Sequence, residues 1–83
     1  MIKEVKIKFK ESHHVAEVCN IMNKYENLEF DIGSSNSSMI DGKSPLAMIN
    51  MIKSNTKCNI IYDKKNKSDV DNFLLDIKDF IIK

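Results

Sequence analysis

The sequence predicts a single α+β domain, residues 1–83, in which a four-stranded antiparallel sheet carries three helices on one face. The chain has 83 residues, and two domains of about 40 residues each would need disulfides or metals for stability. Its hydrophobic periodicity switches between the strand and helix periods in the order β-α-β-β-α-β-α. Each predicted helix has one apolar stripe, whereas the strands alternate apolar residues with lysines and acids, so the other sheet face meets water.

The first half of the chain predicts a strand, a helix and a short hairpin. Residues 5–9 alternate apolar side chains with lysines, which is typical of a half-buried strand. Ser12 is a suitable N-cap for a helix that ends around residues 23–25. A second strand over 28–32 and a third over 38–41 flank a turn that begins at Gly33. The predicted apolar stripe of the helix consists of Val15, Val18, Cys19 and Met22.

The second half predicts a short helix, a strand and the clearest helix of the chain. Ser44 is a suitable N-cap and Pro45 a suitable first helical residue, with the helix running to about residue 52 or 53. Residues 57–62 predict the fourth strand, and Ser68 is expected to cap the last helix. The apolar stripe predicted for that helix is Val70, Phe73, Leu74, Ile77, Phe80 and Ile81.

Composition excludes several function classes. The chain has thirteen lysines, no arginine and twelve acidic residues, so its formal charge is +1. Nonspecific binding of nucleic acid through a strongly basic surface is therefore disfavoured. No apolar run approaches the roughly 18 residues of a membrane span, and residues 1–6 lack the apolar region of a secretory signal. We therefore expect a cytoplasmic protein without nucleic-acid or membrane partners. Cys19 and Cys58 form no CxxC motif and are expected to be buried, reduced thiols, and no cofactor is expected.

The start of the short second helix is the most specific motif. Lys43 and Ser44 precede it, and the apolar residues Leu46, Met48 and Met51 lie behind them. Together with the element order and the strand–acidic turn–helix ending, these residues resemble the HPr family over about residues 5–81. That family contains the histidine-containing phosphocarriers of the bacterial sugar phosphotransferase system. The resemblance implies an open-faced sandwich and a phosphoacceptor histidine at the N-terminus of the first helix, followed by arginine and proline.

The phosphoacceptor motif departs from the family pattern. Counting forward from the first strand places the phosphoacceptor position at His14, with His13 as the weaker candidate, whereas counting back from the first helix places it at Glu11. Residues 15–17 are Val-Ala-Glu where the family has arginine and proline, and Glu17 has the wrong charge to stabilise a phosphate. We therefore expect histidine phosphotransfer to be absent or feeble.

Neither a compensating cation nor a metal is expected at the histidines. Strand alternation predicts that Lys10 points to solvent, which leaves Lys43 as the cation that packing could bring to His14. Neighbouring residues in a helix point about 100° apart, and no cysteine or aspartate lies at ligand spacing from the histidine pair. The other interpretation is that His13 and His14 are two exposed residues in the first helical turn, with no catalytic or metal-binding role.

The second helix predicts a regulatory position and a docking surface. Ser44 matches the family's regulatory phosphoserine, and it is otherwise a simple N-cap. If residues 48, 51 and 52 face the core, then Pro45, Leu46 and Ile49 form an exposed apolar cluster, with Lys43 beside it. Such a cluster fits a protein of the phosphotransferase system, a transcriptional regulator or a second copy of the chain in a homodimer.

Three functions remain open from the sequence. The favoured one is a regulatory or protein-binding module of the phosphotransferase system, a binding protein that does not turn over substrate and has lost efficient histidine phosphotransfer. The first alternative is a working phosphocarrier that accepts phosphoryl on His14 from the phosphoenolpyruvate-charged general kinase and serves sugar transport. The second is an unrelated small αβ domain with a structural or ligand-sensing role.

Overall fold

The structure is a computed structural model that describes residues 1–34, 39–48 and 56–82. Its sheet contains β1 (Ile2–Ile7), β2 (Glu29–Ser34), β3 (Ile40–Asp41) and β4 (Thr56–Ile61). The strand order is β1-β4-β2-β3, and every neighbouring pair is antiparallel. The predicted α+β class and four-stranded antiparallel sheet are therefore confirmed.

Helices and strands share one hydrophobic core. The helical segments are α1 (Ser12–Asn23), α2 (Pro45–Met48) and α3 (Lys67–Asp76). The rings of Phe30 on β2 and Phe73 on α3 lie 4.5 Å apart between centroids. The fully buried core includes side chains from β1, α1, β2, β4 and α3, among them Ile7, Val18, Met22, Phe30, Ile32, Cys58, Ile60 and Phe73.

The prediction of three helices is met in part by the described residues. α1 and α3 have twelve and ten residues, but α2 has four, a single helical turn. The rest of the predicted second helix, including Ile49, lies outside the described residues, as do the centre of the predicted turn and the start of the third strand. No described helix has the length and the apolar character needed to cross a bilayer.

The predicted helix starts are wrong by one or two residues. Glu11, not Ser12, occupies the N-cap of α1, and Asn66, not Ser68, occupies the N-cap of α3. Neither residue makes a side-chain capping hydrogen bond. The residue preferences of the N-cap therefore do not set these boundaries. A 3-10 turn over Lys64–Asn66 leads directly into α3 and starts that helix early.

Residues 80–82 pair with the outer edge of β1. Lys8 N–H donates to the carbonyl of Phe80 at 2.8 Å, and Ile82 N–H donates to the carbonyl of Lys6 at 2.9 Å. Ile81 forms an antiparallel bridge with Ile7. Phe80 and Ile81 were predicted to continue the last helix, but α3 ends at Asp76 and a second 3-10 turn, Lys78–Phe80, redirects the backbone to the sheet.

Both cysteines are free and buried, as predicted. The exposed fractions are 3% for Cys19 and 0% for Cys58. Burial, with a smaller contribution from the charge of Asp31, raises the pKa of Cys58 to about 12. Burial and the charge of Asp41 also raise the pKa of Cys19. These thiols pack as small apolar groups and are poor nucleophiles.

Candidate functional site

Both histidines of the chain lie in the first turn of α1. The backbone leaves β1 at Ile7 and enters α1 through an extended Glu11, so His13 and His14 are the second and third helical residues. His14 N–H donates to the carbonyl of Glu11 at 3.1 Å. The N-cap of α1 is therefore the carboxylate residue Glu11, and the two histidines follow it as residues of the helix.

Glu11 and His13 form an exposed side-chain pair. Oε2 of Glu11 lies 3.2 Å from Nδ1 of His13, and the side chains are 63% and 60% exposed. A protonated His13 would make this contact an ion pair, which at such exposure contributes about 1 kcal/mol at most. The contact therefore orients the two groups more than it stabilises the fold.

His14 is packed between two rings. Its ring centroid lies 4.4 Å from that of His13 and 5.2 Å from that of Phe80, both in edge-to-face geometry. Its Nδ1 is buried and has no hydrogen-bond partner among the described residues. This imidazole nitrogen is therefore accessible to a phosphoryl donor only after His14 or a neighbouring side chain moves.

His14 borders a shallow cavity of about 300 Å³ with a balanced charge. Lys10 is exposed to solvent, as predicted, and it nevertheless borders this cavity together with Lys8. Two lysines and two carboxylates line the cavity, so their formal charges cancel. The lining residues are Lys8, Lys10, His14, Glu17, Asp79 and Phe80.

The first turn of α1 also brings three metal-ligand side chains together. Ligand atoms of Glu11, His13 and His14 all lie within 4.8 Å of one another. The prediction of no metal rests on the two histidines and on the absence of a cysteine or aspartate at ligand spacing from them. Glu11 nevertheless joins the pair, because the extended N-cap directs its carboxylate back over the first turn. The spacing Glu-x-His-His was the available signal.

Lys43 lies at the opposite end of α1 from the histidines. Its ammonium donates to the carbonyl of Tyr25 at 2.9 Å, and its own carbonyl accepts from Asn23 Nδ2 at 3.1 Å. A twelve-residue helix is about 18 Å long, so Lys43 cannot serve as the cation for His14. Lys43 instead binds the carbonyl of Tyr25, just beyond the C-terminal end of α1, where a positive charge is favourable.

The turn before α2 has an exposed apolar end. Ser44 N–H donates to the carbonyl of Asp41 at 3.2 Å, and Pro45 is the first residue of α2, as predicted. Pro45 is exposed, and Leu46 is 84% exposed. Two of the three predicted apolar docking residues therefore face solvent, and the third, Ile49, lies outside the described residues. Phosphorylation of Ser44 stays a prediction.

Comparison of the chain with protein-family models, with curated proteins and with solved structures finds no match.

Proposed function

We propose that this protein is an HPr-like binding or regulatory module of the sugar phosphotransferase system that has lost efficient histidine phosphotransfer. The carboxylate of Glu11 at the N-cap of α1 carries this proposal, because the resemblance places a phosphoacceptor histidine at that helix start. The antiparallel sheet and the element order along the chain support the resemblance.

Local electrostatics disfavour a phosphate on His14. A phosphoryl group brings a charge of about −1.5 to −2, Glu11 is close to the imidazole, and Glu17 borders the same cavity. Two like charges 4 Å apart repel by about 1 kcal/mol in water and about 4 kcal/mol near a protein surface. Lys8 and Lys10 border the same cavity, but as point charges they lack the planar fork that arginine offers to phosphate.

The exposed end of α2 supports the binding part of the proposal. Leu46 is 84% exposed next to the exposed Pro45, so the pair contributes little to the core. A partner that covered Leu46 would bury most of a leucine side chain, which is worth about 1.5–3 kcal/mol. The partner class proposed is a protein of the phosphotransferase system, represented first by its general kinase.

Phosphotransfer is tested directly. The protein is incubated with the general kinase and labelled phosphoenolpyruvate, and the acid-labile phosphate bound to it is counted, with a bona fide HPr protein as positive control. We expect far less than one phosphate per chain. A stoichiometric acid-labile phosphate that His14→Ala abolishes would overturn the proposal and establish the phosphocarrier.

Docking is tested with two matched leucine variants. Leu46→Glu should weaken binding to the general kinase at least about tenfold in calorimetry, because it places a charge in the buried contact. Leu75→Glu is the control, since Leu75 on α3 is 67% exposed and the charge change is the same. Each variant should change the free energy of unfolding by less than about 1 kcal/mol. Equal weakening by both variants, or no binding by the parent protein, would contradict the proposal.

One observation favours the working phosphocarrier as the second candidate. Lys8 and Lys10 lie on the cavity that His14 borders, so positive charge is available where the sequence predicted none. In that case Lys10→Gln should lower the phosphorylation rate, whereas Lys24→Gln, near the other end of α1, should not.

A further inference from the structure

We propose that Glu11, His13 and His14 form a binding site for a divalent transition-metal ion of the zinc class. Two imidazole nitrogens and one carboxylate oxygen are the protein ligands, and solvent completes the coordination. This donor set suits zinc, and three protein ligands with one open position are common at zinc sites. The proposal does not depend on the proposed function, because it concerns an ion and not a phosphoryl group or a protein partner.

The distances are close to those that a zinc ion requires. Zinc lies about 2.1 Å from nitrogen and oxygen ligands, so two ligands of a tetrahedral site are about 3.4 Å apart. Oε2 of Glu11 and Nδ1 of His13 are already 3.2 Å apart. The whole group lies within 4.8 Å, so the remaining separations need to shorten by no more than about 1.4 Å. Rotation of the exposed Glu11 and His13 side chains provides that movement.

His14 has a ring nitrogen that is available to a metal and a ring that is packed against Phe80. Its Nδ1 has no hydrogen-bond partner among the described residues, although an imidazole nitrogen at a buried position normally has one. The edge-to-face contact with Phe80 fixes the ring plane. Metal-ligating histidines usually have their ring orientation fixed by a neighbouring group, and here that group is aromatic.

The surrounding charges permit a cation. Glu11 adds a negative charge beside His14, and the lysines of the cavity that His14 borders, Lys8 and Lys10, are balanced by Glu17 and Asp79. The positive end of α1 opposes a cation, which lowers the affinity without abolishing it.

The chain has few other histidine or cysteine side chains that could bind zinc. The sequence contains two histidines, and both belong to the proposed site. Cys19 and Cys58 are buried, and the raised pKa of each keeps it in the thiol form, which does not bind zinc. Loss of the two imidazoles should therefore remove the site.

The experiment uses the untagged full chain and zinc chloride. Calorimetry should give one zinc ion per chain, and the imidazole resonances of His13 and His14 should shift in NMR spectra. His13→Gln and Glu11→Gln should each weaken binding at least about tenfold. Glu26→Gln is the matched control, since it removes the same charge from an exposed position beyond the C-terminal end of α1 and should leave the affinity within about twofold.

His13 makes the test independent of folding, because its side chain is 60% exposed and its replacement should leave the unfolding transition in place. Excess Mg²⁺ should not displace the zinc, since magnesium prefers oxygen ligands. Absence of binding, full affinity in His13→Gln, or displacement by Mg²⁺ would each overturn the proposal.

Discussion

Replacing Gly42 with alanine tests the packing that joins α1 to the start of α2. Gly42 follows β3, and its N–H donates to the carbonyl of Phe30 at 2.8 Å. A Cβ atom there would lie 2.8 Å from Sδ of Met22, 3.0 Å from Cβ of Phe30 and 3.3 Å from Cδ1 of Ile32. All three neighbours are at most 1% exposed, so none can move into solvent. The close approach, and not an unusual backbone angle, requires glycine, because Gly42 does not have a positive φ.

The expected loss follows from two opposing effects. Overpacking a core by one methyl group costs about 1–3 kcal/mol. Alanine reduces the entropy of the unfolded chain and returns about 0.4–1 kcal/mol where the backbone tolerates it. Gly42→Ala should therefore lower the free energy of unfolding by about 1–2 kcal/mol. In a domain of this size that corresponds to a fall in Tm of about 5–15 °C.

Urea denaturation followed by circular dichroism measures the effect, and a second substitution identifies its cause. Met22→Val removes the side-chain δ atom that the new methyl group would meet, so Gly42→Ala should cost at least about 0.5 kcal/mol less in that background. Ile7→Val is the control background, because β1 lies three strands, about 14 Å, from β3. Stabilisation by Gly42→Ala, or an identical cost in both backgrounds, would refute the packing argument.

Two further predictions follow from raised pKa values. Burial and a hydrogen bond to Asp76 raise the pKa of Tyr25 to about 12 from its ordinary value near 10, so between these pH values the unfolded chain releases a proton that the folded chain keeps. The free energy of unfolding should therefore be insensitive to this group below pH ~10 and fall from pH ~10 to ~12, and Tyr25→Phe should remove part of that fall in urea titrations; an unchanged pH profile would contradict the assignment. Cys19 and Cys58 should react with a thiol reagent only slowly in the folded protein and fully in denaturant, and fast labelling of either thiol without denaturant would show that the core is open there.

The strands and the core followed from the sequence because their signals are local. Phe30 and Ile32 alternate with acids, and Val18 and Met22 repeat with the helix period, so burial could be assigned from spacing alone. The end of β1 at Ile7 could not be assigned from spacing alone. Phe9 continues the alternation and is 4% exposed, yet β1 ends two residues earlier, at Ile7.

The candidate site was predicted only in part for the same reason. The histidines were identified from residue type, but the surroundings of His14 come from distant segments. Phe80 contacts its ring from near residue 83, and Asp79 borders the same cavity. Lys43 reaches Tyr25 at the far end of α1. Contacts between residues so far apart leave no periodic pattern in a single sequence.

The placement of β1 has a consequence for how the chain acquires its structure during synthesis. Ile2 pairs with Ile61, and Ile7 also bridges to Ile81, so β1 joins the sheet through segments that the ribosome makes much later than β1. At about 5–20 residues per second, β1 waits about 3–12 s before β4 exists. Its pairing closes a long loop, and contacts of such high sequence separation slow folding. The charged residues of β1, Lys3, Glu4 and Lys6, discourage association of the unpaired strand with the strands of other nascent chains.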